Sequence, residues 1–203
     1  MPYRTGSERL EARRARLERH SAEVDPAVVL NAAARFLEAR SRSVDEVRRH
    51  LTAAAFPAEL VERAIARLLE LGMLDDRAFA QAWVESRDRA RPRGQTALRR
   101  ELAMKGIDRE TVESVLEERG EAAAAGPGPA DDAAGGAGRS ADELAAQRLL
   151  AKNRAALLRV ADARARRSRA YALLARSGFD PEICREVSAR SAGFDAADGA
   201  DSD

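Results

Sequence analysis

Apolar residues recur at the same offsets in three places along this chain, and a chain that repeats itself at that spacing has to stack its copies. Take Phe56, Ile107 and Phe179 as equivalent anchors. Five residues earlier stand Leu51, Leu102 and Leu174; nine earlier stand Val47, Leu98 and Ala170. Five later stand Val61, Val112 and Cys184, and eight later Ala64, Val115 and Val187. Agreement at these offsets in three copies marks an internal repeat. A unit of about 45 residues buries too little to be stable alone, so the copies must share faces. The expected fold is all-α: an elongated array of three tandem three-helix (helix-turn-helix-like) repeats, gently curved and offering a long concave surface.

Local punctuation supports helices throughout. Asp25-Pro26 reads as an N-cap followed by proline at the first helical position, with Val29, Ala33, Phe36 and Leu37 as a stripe to about Arg40. Ser43-Val-Asp-Glu46 is a capping box that opens a second helix. Pro57 opens a third, with Leu60, Val61, Ala64, Ile65, Leu68 and Leu71 inward and Gly72 as its stop. Asp75-Asp76 caps a fourth helix, carrying Phe79 and Trp83, that ends near Arg91, before Pro92. Further helices are predicted from Gln95 to Lys105, from Asp108 to Gly120, from the capping box Ser140-Ala-Asp-Glu143 to about Leu158, from Asp162 to Ser177 and from Pro181 to Ala192. Composition agrees: alanine, leucine, arginine and glutamate dominate, aromatics are 4%, and no run of β-branched residues reads as a strand.

These signals divide the chain. Residues 1–24 form a charged arm with too thin an apolar stripe to fix it to a core. Residues 25–73 are repeat one and 74–119 repeat two. Residues 120–138, rich in glycine, alanine and proline, are a flexible linker. Residues 139–192 are repeat three and 193–203 a disordered acidic tail.

The chemistry-bearing residues are sparse, and no enzyme is expected. Asp75-Asp76 has no third acid or histidine at ligand spacing and reads as a cap. His20 and His50 lie far apart with no ligand pattern around them, and His50 sits where the other copies have Glu101 and Leu173, which reads as a surface position. Cys184, the one cysteine, stands where the other copies have Val61 and Val112 and reads as a small hydrophobe. Phe79 and Trp83, one turn apart, read as core rather than as a base-stacking pair. The expectation is no catalytic residue, no metal and no cofactor. With no signal-peptide or membrane-length apolar run, the chain is expected to stay in the cytoplasm, away from membranes, as a monomer.

Charge is informative locally. The whole chain carries 35 basic and 34 acidic residues, net +1, a balance unlike that of a simple electrostatic nucleic-acid binder. All the bases except Lys105 and Lys152 are arginine, the residue suited to bidentate contact with carboxylate or phosphate. Two runs are strongly basic. One holds Arg87, Arg89, Arg91, Arg93, Arg99, Arg100 and Lys105; the other includes Arg164, Arg166, Arg167 and Arg169. Both lie around the junction of the first and second helices of their repeats, and matching places predict one basic stripe used for binding.

The stretch Leu74-Asp-Asp-Arg-Ala-Phe-Ala-Gln-Ala-Trp-Val-Glu-Ser-Arg87, then Gly94 and Leu98-Arg-Arg-Glu-Leu-Ala-Met-Lys-Gly-Ile107, closely resembles the RecX regulatory family. Ser43 to Leu51 with Ala55-Phe-Pro-Ala-Glu-Leu60 resembles its first repeat, and Tyr171-Ala-Leu-Leu-Ala-Arg-Ser-Gly-Phe179 its third. The resemblance spans about Val28 to Ala192, interrupted by the linker. It implies a non-enzymatic modulator of the RecA recombinase that lies in the groove of the RecA–DNA filament and inhibits ATP hydrolysis, strand exchange and co-protease activity. The implied roles are in recombination, DNA repair and the SOS response, with weak contact to single- or double-stranded DNA. Three positions depart from the pattern: Ala55 stands where the other copies have Gly106 and Gly178, the linker separates repeat three, and Ser177 replaces a favoured base. Two other readings compete, a helix-turn-helix-like DNA-binding regulator and a helical adaptor without a nucleic-acid role. Against the former, the helix from Leu60 to Leu71 carries only Arg63 and Arg67 as base-reading side chains.

Overall fold

The computed structural model describes residues 24–125 and 140–191. The arm up to residue 23, most of the expected linker and the acidic tail lie outside the described residues. Among those described there are ten helices and no strand: α1 Pro26–Glu38, α2 Val44–Ala53, α3 Ala58–Glu70, α4 Asp76–Ala90, α5 Gln95–Met104, α6 Arg109–Ala125, α7 Ala141–Lys152, α8 Arg154–Leu158, α9 Ala163–Arg176 and α10 Pro181–Ser191.

The starts are set by side chains that satisfy the otherwise unpaired first N–H groups. Asp25 accepts the Ala27 N–H at 2.8 Å. The Ser43–Glu46 capping box is formed in both directions. Asp75 accepts the Ala78 N–H, Ser140 that of Glu143 and Asp162 that of Ala165. The repeat offsets are the core. Leu51, Leu102 and Leu174 are fully buried, the residues at the other matched offsets are buried too, and only the anchor Phe56 remains partly exposed.

Several boundaries differ from the sequence reading. The helix expected to stop at Gly120 continues as α6 to Ala125. Glu121 and four alanines cost little in a helix, and this outweighs the penalty of one interior glycine. The helix expected to run to Leu158 breaks at Asn153, whose backbone leaves the helical region (ψ 8°) and whose side-chain N–H donates to the Leu149 carbonyl at 2.8 Å. Leu71, expected inward, is half exposed because α3 ends before it. Phe79 is core, but Trp83 is half-buried and keeps its indole N–H at the surface of the packing, bonded to Glu101.

The chain forms two compact units. One contains the residues up to Phe79 together with Lys105–Ile107; the other contains Ala80–Met104 and the residues from Asp108 onward. The boundary therefore cuts the second repeat rather than falling between repeats.

Each unit contains one joint between successive repeats, and the two joints are built alike. In the first, the Ser43 hydroxyl donates to the Lys105 carbonyl at 2.6 Å, and the Val44 N–H donates to Asp76 at 2.8 Å. In the second, the Gly94 N–H donates to the Ser177 carbonyl at 3.1 Å, and the Gln95 N–H donates to Asp142 at 2.8 Å. Ser43 and Gly94 hold the same offset from Phe56 and Ile107. The turn that docks onto them carries Gly106 (φ 79°) or Gly178 (φ 80°), and a Cβ there would stand 2.3 Å from the Asp45 Cβ or 2.5 Å from the Ala97 Cβ. Each joint thus joins the start of one second helix to the end of the next, and only glycine permits the approach.

The second joint has an additional ionic tie. Arg119, 7% exposed, donates to Asp88 of α4 at 2.8 Å and to Asp142 of α7 at 2.6 Å. Burial works against the Arg119 charge, but the two carboxylates outweigh it and raise its pKa further. Lys152 adds a cation at the carboxyl end of α4, donating to the Arg89 and Ala90 carbonyls, where the helix dipole favours positive charge.

Candidate functional site

The basic residues singled out from sequence divide into structural and free sets. Arg87 donates to Glu101 at 2.6 Å and lies over the Trp83 ring at 4.3 Å. Arg93 approaches the other oxygen of Glu101 at 3.5 Å. Arg99 makes a bidentate pair with Glu113, both contacts at 2.9 Å. Lys105 is held by Glu46 at 2.7 Å in the first unit, whereas the other bases of its run lie in the second. Arg166 is buried at 7% exposure, so its expected place on an exposed stripe needs correction. It stands as far before Phe179 as Ser43 and Gly94 stand before their anchors, but α9 starts a turn earlier, so this joint position falls inside the helix.

The remaining residues face solvent. Arg91, Arg100, Arg164, Arg167 and Arg169 are exposed and have no ion-pair partner among the described residues. Arg89 is also exposed, with only a 3.8 Å contact to Glu85, a pair worth little between groups this accessible. These six belong to the second unit and form the available cationic set. A guanidinium without an internal carboxylate can take a phosphate or an acidic side chain in two parallel hydrogen bonds.

The structural status of Arg99 was legible in the repeat but was missed. Arg48 and Glu62 hold the same offsets in repeat one as Arg99 and Glu113 in repeat two, and they too form a bidentate pair, at 2.7 and 3.0 Å. Two equivalent pairs tying a second helix to a third describe scaffolding. The acid pair Asp75-Asp76 also resolves into two jobs, Asp75 capping α4 and Asp76 holding the start of α2. Cys184 is fully buried, with its thiol pushed to higher pKa by burial and by Asp180. Among the described residues no group of three or more histidine, cysteine or acidic side chains is arranged to hold a metal ion, and no helix is long and apolar enough to cross a membrane.

Comparison with known proteins decides the family. Residues 30–68 match the first three-helix domain of RecX and residues 75–116 the second. The chain belongs to the RecX family. Its relatives include the regulatory protein RecX of Mycolicibacterium smegmatis, 38% identical over 86 residues, which are 42% of this chain and 46% of that protein. The RecX of Halalkalibacterium halodurans is 37% identical over 86 residues, 42% of this chain and 32% of that one. The RecX of Prosthecochloris aestuarii is 37% identical over 99 residues, 49% and 66% of the two chains. The match thus spans less than half the length of the first two relatives. The crystal structure of RecX from Lactobacillus salivarius superposes with a TM-score of 0.63 at 17% identity, covering 82% of this chain and 96% of that one. That likeness establishes the RecX fold of tandem three-helix repeats.

Proposed function

We propose that this chain is a non-enzymatic regulator of the RecA recombinase that binds the RecA–DNA filament and inhibits its activity, and so acts in recombination, DNA repair and the SOS response. The observation that carries the reading is family membership, since both matched segments are RecX domains and the relatives bear the name regulatory protein. The six exposed arginines of the second unit support it. They lie on two successive repeats and present charge to a ligand rather than to the scaffold, as a partner rich in phosphate and carboxylate requires.

The DNA-reading alternative draws no support from α3. Its exposed residues include Glu59, Glu62 and Glu70 beside Arg63 and Arg67, and an acidic outer face repels a DNA groove. The test is RecA-dependent ATP hydrolysis on single-stranded DNA with the protein titrated in. Hydrolysis should fall with dose and level off at saturation. Hydrolysis unchanged at saturating protein would sink the inhibitory reading.

A further inference from the structure

Charge in the third repeat is one-sided. From Ser140 to Ser191 there are eleven bases against six acids, and the twelve residues that follow α10 carry four aspartates and no base. The net charge of +1 therefore depends on a segment outside the described residues. Most acids within the repeat are already committed. Asp142 accepts from Arg119 and from the Gln95 N–H, Glu143 accepts from Arg190, and Asp162 and Asp180 cap α9 and α10.

α9 has no acid of its own. It holds Arg164, Arg166, Arg167, Arg169 and Arg176, and Arg164, Arg167 and Arg169 are exposed with no ion-pair partner among the described residues. The start of a helix also carries the positive end of its dipole, so added negative charge is favoured there. α10 brings the chain back beside these residues. Val187 shares a core with Ala170 and Leu174 of α9, and α10 ends one turn later, at Ser191. Twelve extended residues beyond that point can span about 40 Å, whereas the fourteen residues of α9 cover only about 21 Å.

We propose that Asp195, Asp198, Asp201 and Asp203 dock in cis on Arg164, Arg167 and Arg169, so that the tail competes with an anionic partner for that part of the surface. Each exposed pair is weak, but tethering holds the aspartates at a high effective concentration. A partner has to displace the tail, which opens these arginines to a dense row of phosphates or carboxylates and closes them to isolated anions. The inference deepens the filament reading, since it concerns arginines assigned there to the partner, but the contact itself needs no RecA.

The test uses the full chain alone. A nitroxide is attached at Ser202→Cys, with wild type treated alike as the control for the buried Cys184, and NMR broadening of backbone amides is followed. Amides from Arg164 to Arg169 should broaden at low salt, and the effect should fade at about 0.5 M salt. Replacing Arg164, Arg167 and Arg169 together by glutamine should remove it, with circular dichroism checking the fold. A labelled short polyphosphate is also titrated into two variants of equal net charge, Asp198→Asn with Asp201→Asn in the tail and Asp131→Asn with Asp132→Asn in the expected linker. The tail variant should bind it about threefold more tightly than the linker variant. Absence of broadening over α9, broadening that survives the glutamine replacements, or equal polyphosphate affinity in the two variants would overturn the proposal. Because no arm contains RecA, failure of the filament reading leaves these outcomes as they are.

Discussion

Ala55 has a φ of 61°, the one non-glycine residue with positive φ among those described. At the matching positions Gly106 and Gly178 the turn packs against the preceding repeat, and a methyl group would collide with it. Ala55 itself is exposed and its methyl group has room, but the backbone strain of a left-handed alanine remains. Ala55→Gly should therefore be neutral or stabilise by up to about 1 kcal/mol, read from urea unfolding followed by circular dichroism. Clear destabilisation would show that the methyl group contributes packing. Gly106→Ala should lose more than about 1 kcal/mol, because strain and collision then act together. Comparing the three copies was enough to single out Ala55 from sequence. Arg99 was harder to read, because its acceptor Glu113 lies on another helix and a count of neighbouring charges leaves the arginine looking free.

Helix starts were legible because a cap is a contact between residues two or three apart. Ends were less so: α6 passes Gly120 because the alanines beyond it favour helix, and α7 stops at Asn153 through a backbone change that no glycine or proline announces. Even a correctly read cap can have partners that sequence does not show. Glu46 closes the capping box on Ser43 and also accepts from Lys105 at 2.7 Å and Arg40 at 3.1 Å. Burial works to raise the pKa of Glu46, but hydrogen bonds from Lys105, Arg40 and the Ser43 N–H prevail and lower it from 4.5 to about 2. A depressed carboxyl stabilises the fold above its unfolded pKa and loses that contribution as pH falls through the folded value. Stability should therefore decline between pH 4.5 and about 2, by roughly 2 kcal/mol from this group. Glu46→Gln should be less stable at neutral pH and should show a shallower decline over that window. Parallel curves for the two proteins in pH-dependent urea unfolding would remove Glu46 as the cause.

At the scale of the whole molecule, sequence located the basic runs and structure sorted them by what each guanidinium already holds. Reversing Arg100 and Arg167 to glutamate should weaken binding to RecA–DNA filaments and flatten its salt dependence, with helicity unchanged, because both are exposed and unpaired. Arg99→Glu, by contrast, should mainly lower stability, since it sets a second carboxylate against Glu113. Wild-type filament affinity in the folded Arg100/Arg167 double variant would move the interface elsewhere. Repeat three is attached to repeat two through Arg119, whose loss leaves Asp88 and Asp142 without a counter-charge. Arg119→Met should therefore cost about 3–5 kcal/mol in denaturant unfolding of the second unit, and removing one of the two orphaned charges with Asp88→Asn should recover part of it. A loss below 1 kcal/mol, on the order of a surface pair, would mean that the glycine joint and Lys152 attach repeat three without help from Arg119.

The joints also impose an order on folding. Within a repeat the tying contacts are short in sequence, 14 residues for Arg99 to Glu113, whereas the joints span 62 from Ser43 to Lys105 and 47 from Gln95 to Asp142. Short contacts form first, and long ones wait for the intervening chain to be in place. During synthesis the first repeat leaves the ribosome long before Gly106 exists to seat it, and a unit this small is barely stable alone. Its helices must therefore form and reopen many times before the second repeat arrives, and the completed fold becomes persistent only as each new turn closes over the helix behind it.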